Sequence, residues 1–182
     1  IDARHEVIGR GHAERLVPMI SELPDHGLAD VISVNVGPGS FTGIRVGVSA
    51  GKALALAWNV RCEGYNGLGL VAAIARSTSG ASSPIDVAIH GGHGELFFQS
   101  FAADGSALES AQSLAPEVVA QRSTAPVIVG DAANLVAQLR GDGNVVDAVS
   151  DARCWPLIEQ MDAIGAVPAY VRGPDAKLPK AK

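Results

Sequence analysis

At 182 residues, with 47 % hydrophobic and 18 % charged side chains, the chain can bury the core of one domain or two small ones, which excludes a disordered chain. Its formal net charge of −5 gains nothing from phosphate neutralisation, so RNA binding through a broad basic face is excluded and only a local basic patch stays compatible. No run reaches the roughly 18 apolar residues of a membrane span, and Ile1-Asp2-Ala3-Arg4-His5-Glu6 carries no signal-peptide hydrophobic region, so a cytoplasmic protein without membrane contact is expected.

Aromatic residues make up only 4 %, so alanine, valine, leucine and glycine supply the apolar character, the usage of an α/β protein with closely packed helices and strands. Residues 12–23 repeat Leu16, Met19, Ile20 and Leu23 at helical spacing, and Pro24-Asp25-His26-Gly27 stops that helix. The β-branched run 31–36 predicts a buried strand; Gly37-Pro38-Gly39 turns the chain, and Ser40 or Thr42 caps a long helix that runs to Trp58. The Ser/Gly-rich stretch 77–83 is the candidate hinge between two lobes. Strands are expected at 85–89 and 95–101, joined by a hairpin turn at His90-Gly91-Gly92-His93-Gly94. A short helix at 116–121, a strand at 127–129, a helix at 134–140 and a strand at 145–149 follow. Residues 155–164 read as amphipathic, and the proline- and lysine-bearing tail 168–182 as partly mobile.

Catalytic patterns fail on inspection. Gly37-Pro38-Gly39 before a helix invites a phosphate-loop reading, yet the only Gly-Lys pair, Gly51-Lys52, lies inside the long helix, is followed by Ala53, and has Val46 where the first glycine belongs. The dinucleotide pattern lacks its third glycine and its acidic residue. His90 and His93 sit three apart beside Glu95, but a zinc site needs a third protein ligand and orienting partners, and in a glycine-rich turn that spacing reads as accidental. His12 reads as a surface or capping group, no serine or cysteine stands in a nucleophile motif, and Cys62 and Cys154 read as buried reduced thiols. No catalytic residue, metal ligand or cofactor is therefore expected.

The informative element is the long helix. Gly43, Gly47 and Gly51 recur every four residues along one face, although each interior glycine costs about 1 kcal/mol against alanine. A bare stripe lets another backbone approach closely. Ile44, Val48, Leu54, Ala55 and Trp58 make the rest of the helix apolar over much of its circumference, so it is buried on more than one side. One side meets its own sheet; the other meets either further elements of this chain or a partner protein.

The run Val34-Asn35-Val36-Gly37-Pro38-Gly39-Ser40-Phe41-Thr42-Gly43-Ile44-Arg45-Val46-Gly47 resembles the hallmark of the TsaB family, also called YeaZ. His12-Ala13-Glu14-Arg15-Leu16-Val17-Pro18-Met19-Ile20 is similar to that family's first helix, and Pro168-Ala169-Tyr170-Val171-Arg172-Gly173-Pro174-Asp175-Ala176-Lys177 to its ending. The turn at His90 to Gly94 departs from the family's usual Asp-Ala-Arg. The resemblance implies an actin-like, ribonuclease-H-like α/β fold of two lobes: 1–76 with 152–167 as the first, 84–151 as a smaller second, and 168–182 as a tail. Because Ile1-Asp2 leads almost at once to His5-Glu6, the first lobe is expected to be abbreviated or incomplete in this sequence.

The resemblance further implies a non-catalytic subunit that binds and stabilises TsaD, the threonylcarbamoyltransferase acting on tRNA, with TsaE joining transiently and tRNA met only through the complex. ATP or ADP at the complex interface and a homodimer through the same helices go with it. In the catalytic subunit two metal-ligating histidines follow the long helix; the matching places here are Gly67 and Val71, neither of which binds metal. The expected partner-facing residues are Leu16, Met19, Ile20, Leu23, Gly43, Ile44, Gly47, Val48, Gly51, Leu54 and Trp58. The competing expectation is an enzyme of the same superfamily, a nucleotide hydrolase or a glycoprotease-like protein.

Overall fold

The computed structural model describes residues 2–6, 8, 11–159 and 163–172. Its first layer is a sheet of β1 (Val31–Asn35), β2 (Arg61–Tyr65) and β8 (Ile164–Gly165) in the order β1-β2-β8. β1 and β2 run parallel, Val31 opposite Arg61 and Asn35 opposite Tyr65, and β8 is antiparallel to β2. The crossover between β1 and β2 is the long helix α2 (Phe41–Trp58), as parallel pairing requires. Ser40 is its cap, with Oγ accepting from the Gly43 amide, and Asn59 closes it in the left-handed region. Helix α1 (His12–Ser21) packs beside α2 and ends at the turn Pro24–Gly27, where Asp25 and His26 take left-handed conformations.

The second sheet has five strands, β3 (Ile85–Gly92), β4 (Glu95–Phe101), β5 (Gln112–Leu114), β6 (Val127–Val129) and β7 (Asn144–Val146), in the order β5-β4-β3-β6-β7. β3 and β4 form the expected hairpin, while β6 is parallel to β3 and β7 to β6. Alternation of side chains sends Ile85, Val87, Phe97, Phe101, Val127 and Val129 to one face, where they bury Leu68, Val71, Ala72 and Ala75 of helix α3 (Gly67–Ser79). Ala88, Leu96, Phe98 and Ile128 point to the other face and pack on Val119 of α4 (Pro116–Arg122) and on Ala133 and Val136 of α5 (Ala133–Arg140). This sheet is thus covered on both sides.

The differences from expectation are local. Helix α3, with strands β2 and β5, has no counterpart in the sequence reading. α3 opens on Gly67 and Gly69, poor helix formers, and occupies the first residues of the stretch read as a hinge. Although that reading placed it with the first lobe, its buried face packs on the second sheet. β7 stops at Val146 and does not reach 149. Within 155–164, the described residues form a 3-10 turn, Ala152–Leu157, containing Pro156, and then β8. Of the tail, 173–182 lie outside the described residues; Ala169, by contrast, is bonded through its amide to the Val36 carbonyl at 2.8 Å. Cys62 and Cys154 are free, as expected, but half-buried; burial pushes the Cys62 thiol up.

Candidate partner-binding face

The face is set by how α2 leaves β1. Asn35 ends the strand and its Oδ1 accepts from the Gly37 amide at 2.9 Å. Gly37 has φ +114 and follows on into a cis bond to Pro38; an added Cβ there would lie 3.1 Å from the Ala169 carbonyl oxygen, so only glycine fits. Ser40 then starts 18 residues of helix across the first sheet.

The three glycines divide. Steps of four residues advance about 40° around a helix, so the stripe turns by about 80° from Gly43 to Gly51. Gly51 faces the chain's own sheet: a Cβ there would meet Val34 Cγ1 at 2.5 Å and Ile32 Cγ2 and Cys62 Sγ at 3.5 Å. Its close approach is intramolecular, which corrects its assignment to an outside groove. Val48, 3 % exposed, is buried with it, again an inward position and again a correction. Gly43 sits against its own cap, 3.4 Å from Ser40 Cβ. The drift turns Gly47 and then Gly43 progressively away from the sheet, and at Gly47 no side chain and no other element stands within 4 Å of where its Cβ would be.

Around Gly47 the helices keep apolar surface uncovered. Leu54 and Trp58 are half-buried on α2 in line with Gly47, and Leu16, Met19, Ile20 and Leu23 are half-buried on and just after α1. Ile44 shares the face of Gly51 and packs on the Gly37–Gly39 turn, its Cδ1 3.2 Å from where a Gly39 Cβ would be, a further correction to the expected outward set. No residue of α1 is buried, although the helix is amphipathic. The polar side of α1 is tied down by Arg15, which bonds Glu6 at 2.5 Å and Glu22 at 2.7 Å. Val17, exposed on α1, was missed by the sequence reading, as was Leu56, 85 % exposed on α2 but nine residues from Gly47 and so on the opposite side of that helix. Leu56 carries the signal: its neighbours Leu54, Ala55 and Ala57 leave no polar face on that turn.

A cavity of about 580 Å³ lies at the N-terminal end of α2, between Pro38, Phe41 and Tyr170 on one side and the β3–β4 hairpin on the other. His90 stands at its edge, its amide donating to Asp131 Oδ1 at 2.8 Å and its Nδ1 3.1 Å from the same oxygen. His93 is at the hairpin tip with φ +55, and Glu95 accepts from Ser113 Oγ at 2.6 Å. These side chains are not gathered as ligands; among the described residues no three His, Cys, Asp or Glu side chains stand together as a metal site. Gly67 and Val71 open α3, Val71 in the core and Gly67 against the Asn35 side chain. His12 is half-buried, with Nε2 out of reach of any hydrogen-bond partner.

Two α/β units, one sheet of each linked through the α2–β2–α3 connection and a cavity between them, define the actin-like class of fold. The family model described as TsaD, tRNA N6-adenosine threonylcarbamoyltransferase, matches residues 5–137. TsaB of Escherichia coli K12, a tRNA threonylcarbamoyladenosine biosynthesis protein, is 28 % identical over 131 residues, 67 % of this chain and 56 % of that protein. A tRNA N6-adenosine threonylcarbamoyltransferase of Corynebacterium diphtheriae is 31 % identical over 154 residues, 80 % of this chain and 40 % of that protein. The solved structure of YeaZ from Pseudomonas aeruginosa superposes with a TM-score of 0.73 at 26 % identity, covering 91 % of this chain and 86 % of that one. The chain belongs to the TsaD family and, within it, to the TsaB/YeaZ members. It spans about half or less of the length of these two curated relatives.

Proposed function

We propose that this chain is a non-catalytic subunit that binds TsaD through α1 and α2 and holds it in a competent state for making N6-threonylcarbamoyladenosine on tRNA. TsaE joins that assembly transiently in the cytoplasm, tRNA is met only through the complex, and the complex interface is the place for ATP or ADP. One observation carries the reading. Gly47 lies bare on a long helix, beside an amphipathic helix whose apolar side chains are nowhere fully buried. An apolar helical face with a backbone-deep notch suits a second helix better than water.

The two glycines supply the experiment and its control. Gly47→Leu projects into open space, and leucine is a better helix former than glycine by roughly 0.8 kcal/mol, so the isolated chain is expected to stay folded with an equal or higher Tm. Co-purification with TsaD is expected to fail. Gly51→Leu drives a side chain into Val34 and costs the isolated fold about 3 kcal/mol or more. Wild-type recovery of TsaD by the Gly47→Leu chain would rule the face out. The cavity beside α2 favours a second reading, a nucleotide hydrolase; ATP turnover by the isolated chain that disappears in His93→Ala would replace the first reading with it.

A further inference from the structure

The segment Ala169-Tyr170-Val171-Arg172 touches both halves of the molecule within four residues. On the first half, the Ala169 amide donates to the Val36 carbonyl at 2.8 Å, and the Tyr170 hydroxyl accepts from Arg45 Nε at 2.7 Å. Tyr170 also leans on Phe41, ring centroids 5.4 Å apart and tilted by 38°, while the Arg45 guanidinium stands 3.7 Å above the Phe41 ring and 5.4 Å from the Tyr170 ring. On the second half, Val171 packs against the core between α3 and the sheet, and Arg172 Nη1 reaches the Gly91 and Gly92 carbonyls of the hairpin at 3.3 and 3.4 Å. All four residues line the cavity between the halves.

We propose that this segment is a strap that couples the first turns of α2 to the β3–β4 hairpin and so sets how far the cavity opens. The strengths of its anchors are graded. Ala169 is fixed by a backbone bond to Val36, the buried residue that follows β1. Phe41 and Tyr170 are 50 % and 52 % exposed, so the aromatic and cation–π contacts there compete with water and hold only moderately. The Arg172 bonds to the Gly91 and Gly92 carbonyls, at 3.3 and 3.4 Å, lie at the long end of the hydrogen-bond range. Loss of the Arg45 contact frees Tyr170 while Ala169 stays in place, and through Val171 it loosens the hold of Arg172 on the hairpin. Coupling of this kind needs a physical element that both ends bias, which the four contiguous residues supply.

Hydrogen exchange on the isolated full chain tests it. Arg45→Ala changes no atom of the second half, yet it is expected to speed exchange of the hairpin amides at 90–95 about tenfold, within the range of ordinary site-to-site coupling. Amides of α2 beyond its second turn are expected to be unchanged. Arg172→Ala is expected to do the same, and the double variant to exceed neither single by more than twofold, because both cut one strap. Hairpin exchange unaltered by Arg45→Ala, or a double variant whose effect is the product of the singles, overturns the strap. If Arg45→Ala lowers overall stability, Tyr170→Phe, which removes only the accepting oxygen, is read against the same two outcomes. No partner is present in the measurement, so its failure leaves the TsaD-binding reading untouched.

Discussion

Asp86 shows how much one side chain can organise. It sits on β3 at 1 % exposure, in a run otherwise made of Ile85, Val87, Ala88 and Ile89. Its carboxylate accepts from Ser100 Oγ at 2.6 Å and from Ser123 Oγ, the Thr124 amide and the Ala125 amide at 2.9 Å each. Arg140 Nη1 closes the cluster on Ser123 Oγ and on the Ala125 carbonyl. The loop entering β6 therefore takes its shape from one buried anion. Asp86→Ala leaves two amides and the Ser100 and Ser123 hydroxyls without their acceptor. At about 1–3 kcal/mol for each buried unpaired group, with partial relief by water, the expected loss is about 4 kcal/mol. Urea unfolding checks it as a lower midpoint at an unchanged m-value; a loss under about 1 kcal/mol would show that the loop repairs itself. The sequence held the clue, since an aspartate inside an apolar strand has to be satisfied by something, but its four donors come from positions that only the folded sheet brings together.

At the scale of elements, what was legible followed from period and punctuation. α2 and β4 stand where their patterns put them, with Ser40 as the cap and Phe101 as the strand end. α3 was not legible because its first turn is glycine, and its start signal is a single residue, Asn66. Asn66 Oδ1 accepts from the Leu68 amide at 2.9 Å, and its Nδ2 donates to Gln99 Oε1 at 2.7 Å, a side chain buried in the second lobe. One cap thus starts a helix and fixes it to β4. Asn66→Ala forfeits about 1 kcal/mol of capping and strands a buried amide oxygen for at least about 1 kcal/mol more. A fall of about 2 kcal/mol in stability is expected in denaturant melts, and a change of only a few tenths would reduce Asn66 to an ordinary loop residue. The glycine stripe was half legible for a geometric reason. Spacing by four shows which glycines are near neighbours on a helix, but the drift around the axis decides which one meets Val34 and which one meets the outside, and that drift is measured only against a placed sheet.

Across the whole molecule the two halves are unequally finished. The second sheet carries a buried cluster on each face, whereas α1 contributes no buried residue and β1 is half-buried along its full length. Local opening free energy follows buried apolar contact, so the first half is the weaker one in isolation. Amides of α1 and β1 are expected to exchange at least tenfold faster than those of β3, β4 and β6, which approach the global limit. A partner that binds the α1–α2 face only when the first half is folded then protects it by mass action, by about 2.7 kcal/mol at a free concentration 100 times Kd, or roughly a hundredfold in exchange. Adding TsaD at that excess is expected to slow α1 and β1 by that factor while leaving the core of the second sheet within about threefold of its isolated rate. Protection that appears instead on β3 and β4, or evenly over the chain, would place the partner elsewhere, because a ligand stabilises the elements that must be folded to hold it.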